Sequence, residues 1–91
     1  MRNLDSFEVF RSIKDGIRLF SGTLDCYVGT HIFKRIFDVE GDEYLIYIEY
    51  NTKNYQVNDI SIFDVEKNYI LVDNKDFLRG LILVCLFDTY K

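Results

Sequence analysis

The chain has 91 residues, 48% of them hydrophobic and 16% aromatic, and a net charge of −4. That length makes one small domain, residues 1–91, with enough apolar content for a core and no Gly-, Ser- or Pro-rich linker to divide it. The acidic balance argues against general nucleic-acid binding, which draws its affinity from clustered Lys and Arg, and suits a basic partner surface instead.

A first helix is expected over 5–15. Asp5 and Glu8 have N-cap and N3 spacing, Leu4 and Val9 can form the accompanying hydrophobic staple, and Phe7, Phe10 and Ile13 with Val9 give an apolar face. Gly16 stands at C′, where positive φ costs Gly little. Short strands follow: Ile17–Phe20 and, past a turn at Ser21-Gly22, Thr23–Val28, where Leu24, Cys26 and Val28 alternate with Thr23, Asp25 and Tyr27.

A hairpin is expected over 33–50. Phe33, Phe37 and Val39 share a face with Arg35, and Gly41-Asp42 makes the turn. In 44–50, Tyr44, Ile46, Ile48 and Tyr50 alternate with Leu45, Tyr47 and Glu49, so both faces carry apolar groups and the strand belongs in the middle of a sheet. Strands at 55–57 and 60–65, separated by a turn at Asn58-Asp59, precede a second tight hairpin into Tyr69–Val72. The pentapeptide IFDVE occurs twice, at Ile36–Glu40 and Ile62–Glu66, each time before a turn and a Tyr-led apolar strand. Either hairpin entry favours the same residues twice, or one hairpin duplicates the other in a pseudo-symmetric position.

The last helix opens at Asp73 or Asn74, with acids at its cap and at N3. Gly80 lowers its helix propensity and is expected to let a strand or ring approach closely. Leu81–Phe87, seven apolar residues in a row, form the core helix on which the sheet packs; a buried strand is the competing reading. The expected fold is therefore α+β: one antiparallel sheet of about five to six strands, with the N-terminal helix and the apolar C-terminal helix on one face. The first helix and the ten residues Gly16–Asp25 resemble the opening of Sm-like barrels, which continue from a helix into a strand, a Gly and a bent second strand. The later Gly-containing motif of that family is not recognisable here. The resemblance implies only the alternative fold, a small Sm/SH3-like barrel with flanking helices.

Catalytic signals are sparse. No GxGxxG, P-loop, CxxC, HExxH or GxSxG pattern is present. Cys26 and His31 would make a thiolate–imidazolium pair only if the chain turned at Gly29-Thr30; the simpler reading is a core thiol and an exposed histidine. Both cysteines are read as free thiols in a reducing compartment. Asp38, Glu40, Asp42 and Glu43 crowd the first hairpin tip and, lacking EF-hand spacing, read as a solvated cluster rather than a calcium site. No enzyme, cofactor or metal is expected. Neither is a secretory signal or a membrane span, since the first residues lack an apolar run and Leu81–Phe87 is shorter than the roughly 20 residues a span needs. The expected location is the cytoplasm.

Charge divides unevenly: residues 1–37 carry +2 and residues 38–91 carry −6. The expected function is a small non-enzymatic inhibitor or adaptor that binds a protein partner through an acidic, tyrosine-bearing surface made of Asp38, Glu40, Asp42, Glu43, Tyr47, Glu49 and Tyr27. Its most specific form is a phage- or virus-encoded inhibitor of a host nuclease or defence complex. Such a protein would present carboxylates to a basic nucleic-acid-binding surface that expects phosphates. The alternative is a nucleic-acid-binding small barrel using Arg11, Lys14, Arg18, Lys34 and Arg35. An exposed edge on so aromatic a sheet also invites a homodimer.

Overall fold

The structure, a computed structural model, describes residues 3–21, 29–54 and 56–87; of 18–21 and 87 it describes the backbone alone. Leu4–Asp5 (β1) leads directly into a 16-residue helix, Ser6–Ser21 (α1). Asp5 caps it as expected, its carboxylate accepting from the Glu8 amide at 3.2 Å. The buried stripe is Ser6, Val9, Ile13, Gly16 and Ile17, at spacings of three and four. Phe7, expected on that face, is instead 51% exposed, with the Arg11 guanidinium 5.9 Å from its ring centre.

The expected helix end at Gly16 and strand at 17–20 are both corrected, because the helix runs through them. Ile17 extends the Val9/Ile13 stripe by another four residues and is fully buried, so packing outweighs the local stop signal. Gly16 has a different role. The Arg35 side chain crosses it so closely that a Cβ there would lie 2.6 Å from Nη1. The expected strand Thr23–Val28, with Cys26 and Tyr27, lies outside the described residues.

Thr30–Val39 (β2), Asp42–Asn51 (β3) and Gln56–Asp64 (β4) form an antiparallel sheet in the order β2-β3-β4. The described sheet has three strands rather than five to six, and it does not close into a barrel. The expected hairpin is present, with β3 central. Its turn is Glu40-Gly41 instead of Gly41-Asp42. Both residues have positive φ (52° and 87°), as the hairpin turn that matches strand twist requires. The strands expected at 55–57 and 60–65 are one strand. The register steps from Glu49↔Asp59 to Tyr50↔Val57, leaving Asn58 as a bulge where a turn was expected.

The second hairpin is reduced to one bridge, Phe63↔Tyr69. The chain then leaves the sheet, and Val72–Asp73 (β5) pairs in parallel with β1. This short ladder sets the starts of both helices side by side. The buried Ser6 hydroxyl fastens it by donating to the Asp73 and Asn74 carbonyls, the latter at 2.7 Å. Lys75–Phe87 (α2) is the helix expected there, and it buries Leu78, Ile82, Cys85 and Leu86. The helices pack on each other and cover one face of the sheet, α1 against β2 and α2 against β4. Between them and the sheet lie Phe33 and Phe37 of β2, Ile46, Ile48 and Tyr50 of β3, and Ile60 and Ile62 of β4.

Two smaller expectations change. Gly80 is exposed, with nothing within 4 Å of where its Cβ would stand, so among the described residues no strand or ring approaches it. The IFDVE copies have opposite phase: Phe37 and Val39 are buried in the first, whereas Ile62 is buried in the second and Val65 is exposed. They are not pseudo-symmetric equivalents.

Candidate functional site

The sheet face away from the helices carries the expected surface residues. Strand alternation aims Ile32, Lys34, Ile36 and Asp38 of β2 to this side, with Glu43, Leu45, Tyr47 and Glu49 of β3. The register sorts them into cross-strand rows. Asp38 faces Glu43 nearest the hairpin turn. The next row is Ile36–Leu45–Phe63, continued by Tyr69 through its bridge to Phe63. Then come Lys34–Tyr47–Ser61 and Ile32–Glu49–Asp59.

Ile32 and Ile36 are 62% and 61% exposed, an unusual position for two isoleucines on one strand face. Tyr47, Phe63 and Tyr69 meet edge to face, with ring centres 5.9 Å and 5.8 Å apart. Lys75 closes the β4 side, its Nζ 3.2 Å from the Tyr69 hydroxyl and 3.9 Å from the Asp59 carboxylate.

At the hairpin end, Asp38, Glu40, Asp42 and Glu43 are all exposed. Asp64, the last residue of β4, and Glu66 in the loop after it lie at the same end, because Tyr44 pairs with Asp64. Between the two turns lies an open hollow of about 560 Å³, lined by Asp42, Glu43, Tyr44, Asp64, Val65, Asn68 and Ile70. Its apolar floor and acidic rim suit the stem and head of a Lys or Arg side chain. Asp64 is tied into its own loop. One carboxylate oxygen accepts from the Glu66 and Asn68 amides, both at 2.9 Å, and the other from the Asn68 side chain at 3.2 Å. Donation from the Asn68 amide, aided by the other two bonds and opposed by some desolvation, holds this carboxyl below its ordinary pKa.

The structure thus gathers Asp38, Glu43, Tyr47 and Glu49 on one face, with Glu40 and Asp42 at its end. Tyr27 lies outside the described residues. The basic set of the alternative reading is divided. Arg11 and Lys14 belong to α1, as does the backbone of Arg18; Arg35 projects onto Gly16 on the covered side, and Lys34 projects to the open side. His31 is a half-buried β2 residue stacked at a tilt on Tyr50, not an exposed turn histidine. The Cys85 thiol is buried between the helices, 3.9 Å from the Lys14 carbonyl. Among the described residues no group of three or more His, Cys, Asp or Glu could hold a metal ion, and no helix is long and apolar enough to cross a membrane.

Sequence reasoning missed Ile32, Ile36, Phe63 and Tyr69 as surface-forming residues. A signal was present: Ile32 and Ile36 are out of phase with Phe33 and Phe37, so β2 is apolar on both faces. No protein-family model, curated protein or solved structure matches this chain.

Proposed function

We propose that this chain is a non-enzymatic protein-binding module, an inhibitor or adaptor, whose open sheet face docks on a basic and partly apolar protein surface. One observation carries the reading: the apolar row Ile36–Leu45–Phe63–Tyr69, exposed at Ile36 and Tyr69, is bordered by Asp38–Glu43 on one side and by Lys34–Tyr47–Ser61 and then Ile32–Glu49–Asp59 on the other. An apolar centre with a polar rim is the anatomy of an interface, and tyrosines there combine contact area with a polar tip. Asp38 opposite Glu43 adds a second support. Like charges directly opposed on a strand pair are destabilising, by roughly 0.2–1 kcal/mol. A partner's Lys or Arg set between them relieves that repulsion. A surface that normally binds nucleic acid offers such cations, so an inhibitor that replaces phosphates with carboxylates is the form this face fits best.

Calorimetry with two amphipathic peptides, one Leu/Lys and one Leu/Glu, tests the proposal on the full chain. The basic peptide should bind, less tightly at high salt, and the acidic one should not. The double variant Asp38→Ala/Glu43→Ala should weaken binding by about tenfold, and Ile36→Ser by a similar factor. Equal binding of both peptides, or unchanged affinity in both variants, would overturn it. A labelled oligonucleotide shifted at low salt in a manner dependent on Arg11 and Arg35 would favour the nucleic-acid reading instead.

A further inference from the structure

We infer that the hollow between the two turns is a binding site for a guanidinium group, the arginine side chain with which a protein partner anchors itself on this chain. The hollow measures about 560 Å³, within the range of roughly 300–1,000 Å³ typical of small-ligand sites. Ile70, 8% exposed, and Val65 give it an apolar floor and wall along which a methylene stem can lie. Its polar side chains offer acceptors, and no Lys, Arg or His lines it. Glu43 is exposed and forms no ion pair with any described residue. The Asp64 carboxylate has room for about four hydrogen bonds and accepts three within its own loop, from the Glu66 and Asn68 amides and the Asn68 side chain. The Asn68 side-chain nitrogen thus donates to Asp64, which leaves its carbonyl oxygen as a further acceptor.

Tyr44 is the second, independent sign of a ligand. It borders the hollow and is 7% exposed, yet its hydroxyl has no hydrogen-bond partner among the described residues. A tyrosine hydroxyl so far from bulk water ordinarily finds one, and a donor entering the hollow supplies it. Several separate acceptors around an apolar floor select the ligand. An arginine head carries five donors in a fixed planar fork and is weakly hydrated, whereas a lysine head is a strongly hydrated point charge with three. Glu43 also links the hollow to the open sheet face, where it stands opposite Asp38. A partner lying on that face can therefore turn one arginine into the hollow. That the guanidinium belongs to a protein rests on the docking function proposed above; the site itself does not.

Titration of the isotope-labelled full chain with N-acetyl-arginine amide, followed through backbone amide shifts, tests the site. Saturable shifts should appear at residues 43–44, 64–65 and 68–70, with a dissociation constant in the millimolar range, as suits a ligand of so few atoms. The citrulline counterpart, of the same shape but uncharged, should bind at least about tenfold more weakly, and the lysine counterpart about threefold more weakly. Val65→Lys places a tethered cation in the hollow at a position that is 70% exposed, and should abolish the shifts. Glu43→Gln should weaken binding about threefold. No saturable shift up to about 50 mM, equal binding of either counterpart, or unchanged binding by either variant would overturn the inference. Val65 lies outside the cross-strand rows of the open face, so Val65→Lys should still bind the Leu/Lys peptide. Peptide binding without arginine binding overturns this site and leaves the docking function standing; arginine binding without peptide binding does the reverse.

Discussion

Asp64 shows how one carboxylate can organise a turn. It accepts three hydrogen bonds from Glu66 and Asn68, and Lys67 between them takes a left-handed backbone (φ 68°) that only a well-fixed turn holds in a non-glycine residue. Its pKa lies below the ordinary 3.8, chiefly through the Asn68 amide. A carboxyl with a depressed folded pKa stabilises the native chain at pH values above its unfolded pKa, and loses that contribution as the pH falls through the folded one. Asp64→Ala should therefore be less stable than wild type at neutral pH. In urea unfolding the gap should narrow as the pH is lowered from about 5 towards about 2. A gap of constant size over that range would contradict the role assigned to this group.

At the scale of elements, burial decides what a substitution costs. Ile48 on central β3 is fully buried between sheet and helices, whereas Ile36 on β2 is mostly exposed. Ile48→Ala should lower the unfolding free energy by about 2–5 kcal/mol, and Ile36→Ser should change it by about 0.5 kcal/mol or less. Chemical denaturation measures both, and comparable losses would mean that the open face is buried in solution. The same contrast explains what was legible in the sequence. The Asp5 cap, the central strand and the apolar C-terminal helix could be read because each rests on a local period or cap. The length of α1 could not, because a Gly at a plausible C-cap competes with an apolar stripe that only tertiary packing makes decisive. The strand count was overestimated where Ile17–Phe20 and Tyr69–Val72 have strand-like composition: α1 absorbs the first, and the second contributes one bridge and part of a two-residue ladder. The IFDVE copies make the point most directly. The same five residues bury Phe37 at one site and Ile62 at the other, because register is fixed by strand partners. In the candidate site, the carboxylates and Tyr47 were legible from alternation. Ile32 and Ile36 were not, because a strand apolar in both phases reads as buried.

The whole molecule is two-sided. One face of the sheet is sealed by two helices tied together at their starts through Ser6 and the β1–β5 ladder. The other presents an apolar row with Asp38 and Glu43 on its hairpin side, where Glu40 and Asp42 extend the acidic cluster, and Lys34, Tyr47 and Glu49 beyond it on the other. Little of this depends on the helix side, so partner binding and core stability should be separable by mutation. Backbone amide chemical-shift mapping of isotope-labelled protein with the Leu/Lys peptide tests that division most directly. The account predicts shifts concentrated in residues 32–38, 43–49 and 61–69, with α1 and the outer side of α2 unaffected. Shifts centred on Arg11 and Lys14, or no shifts at millimolar peptide, would contradict it.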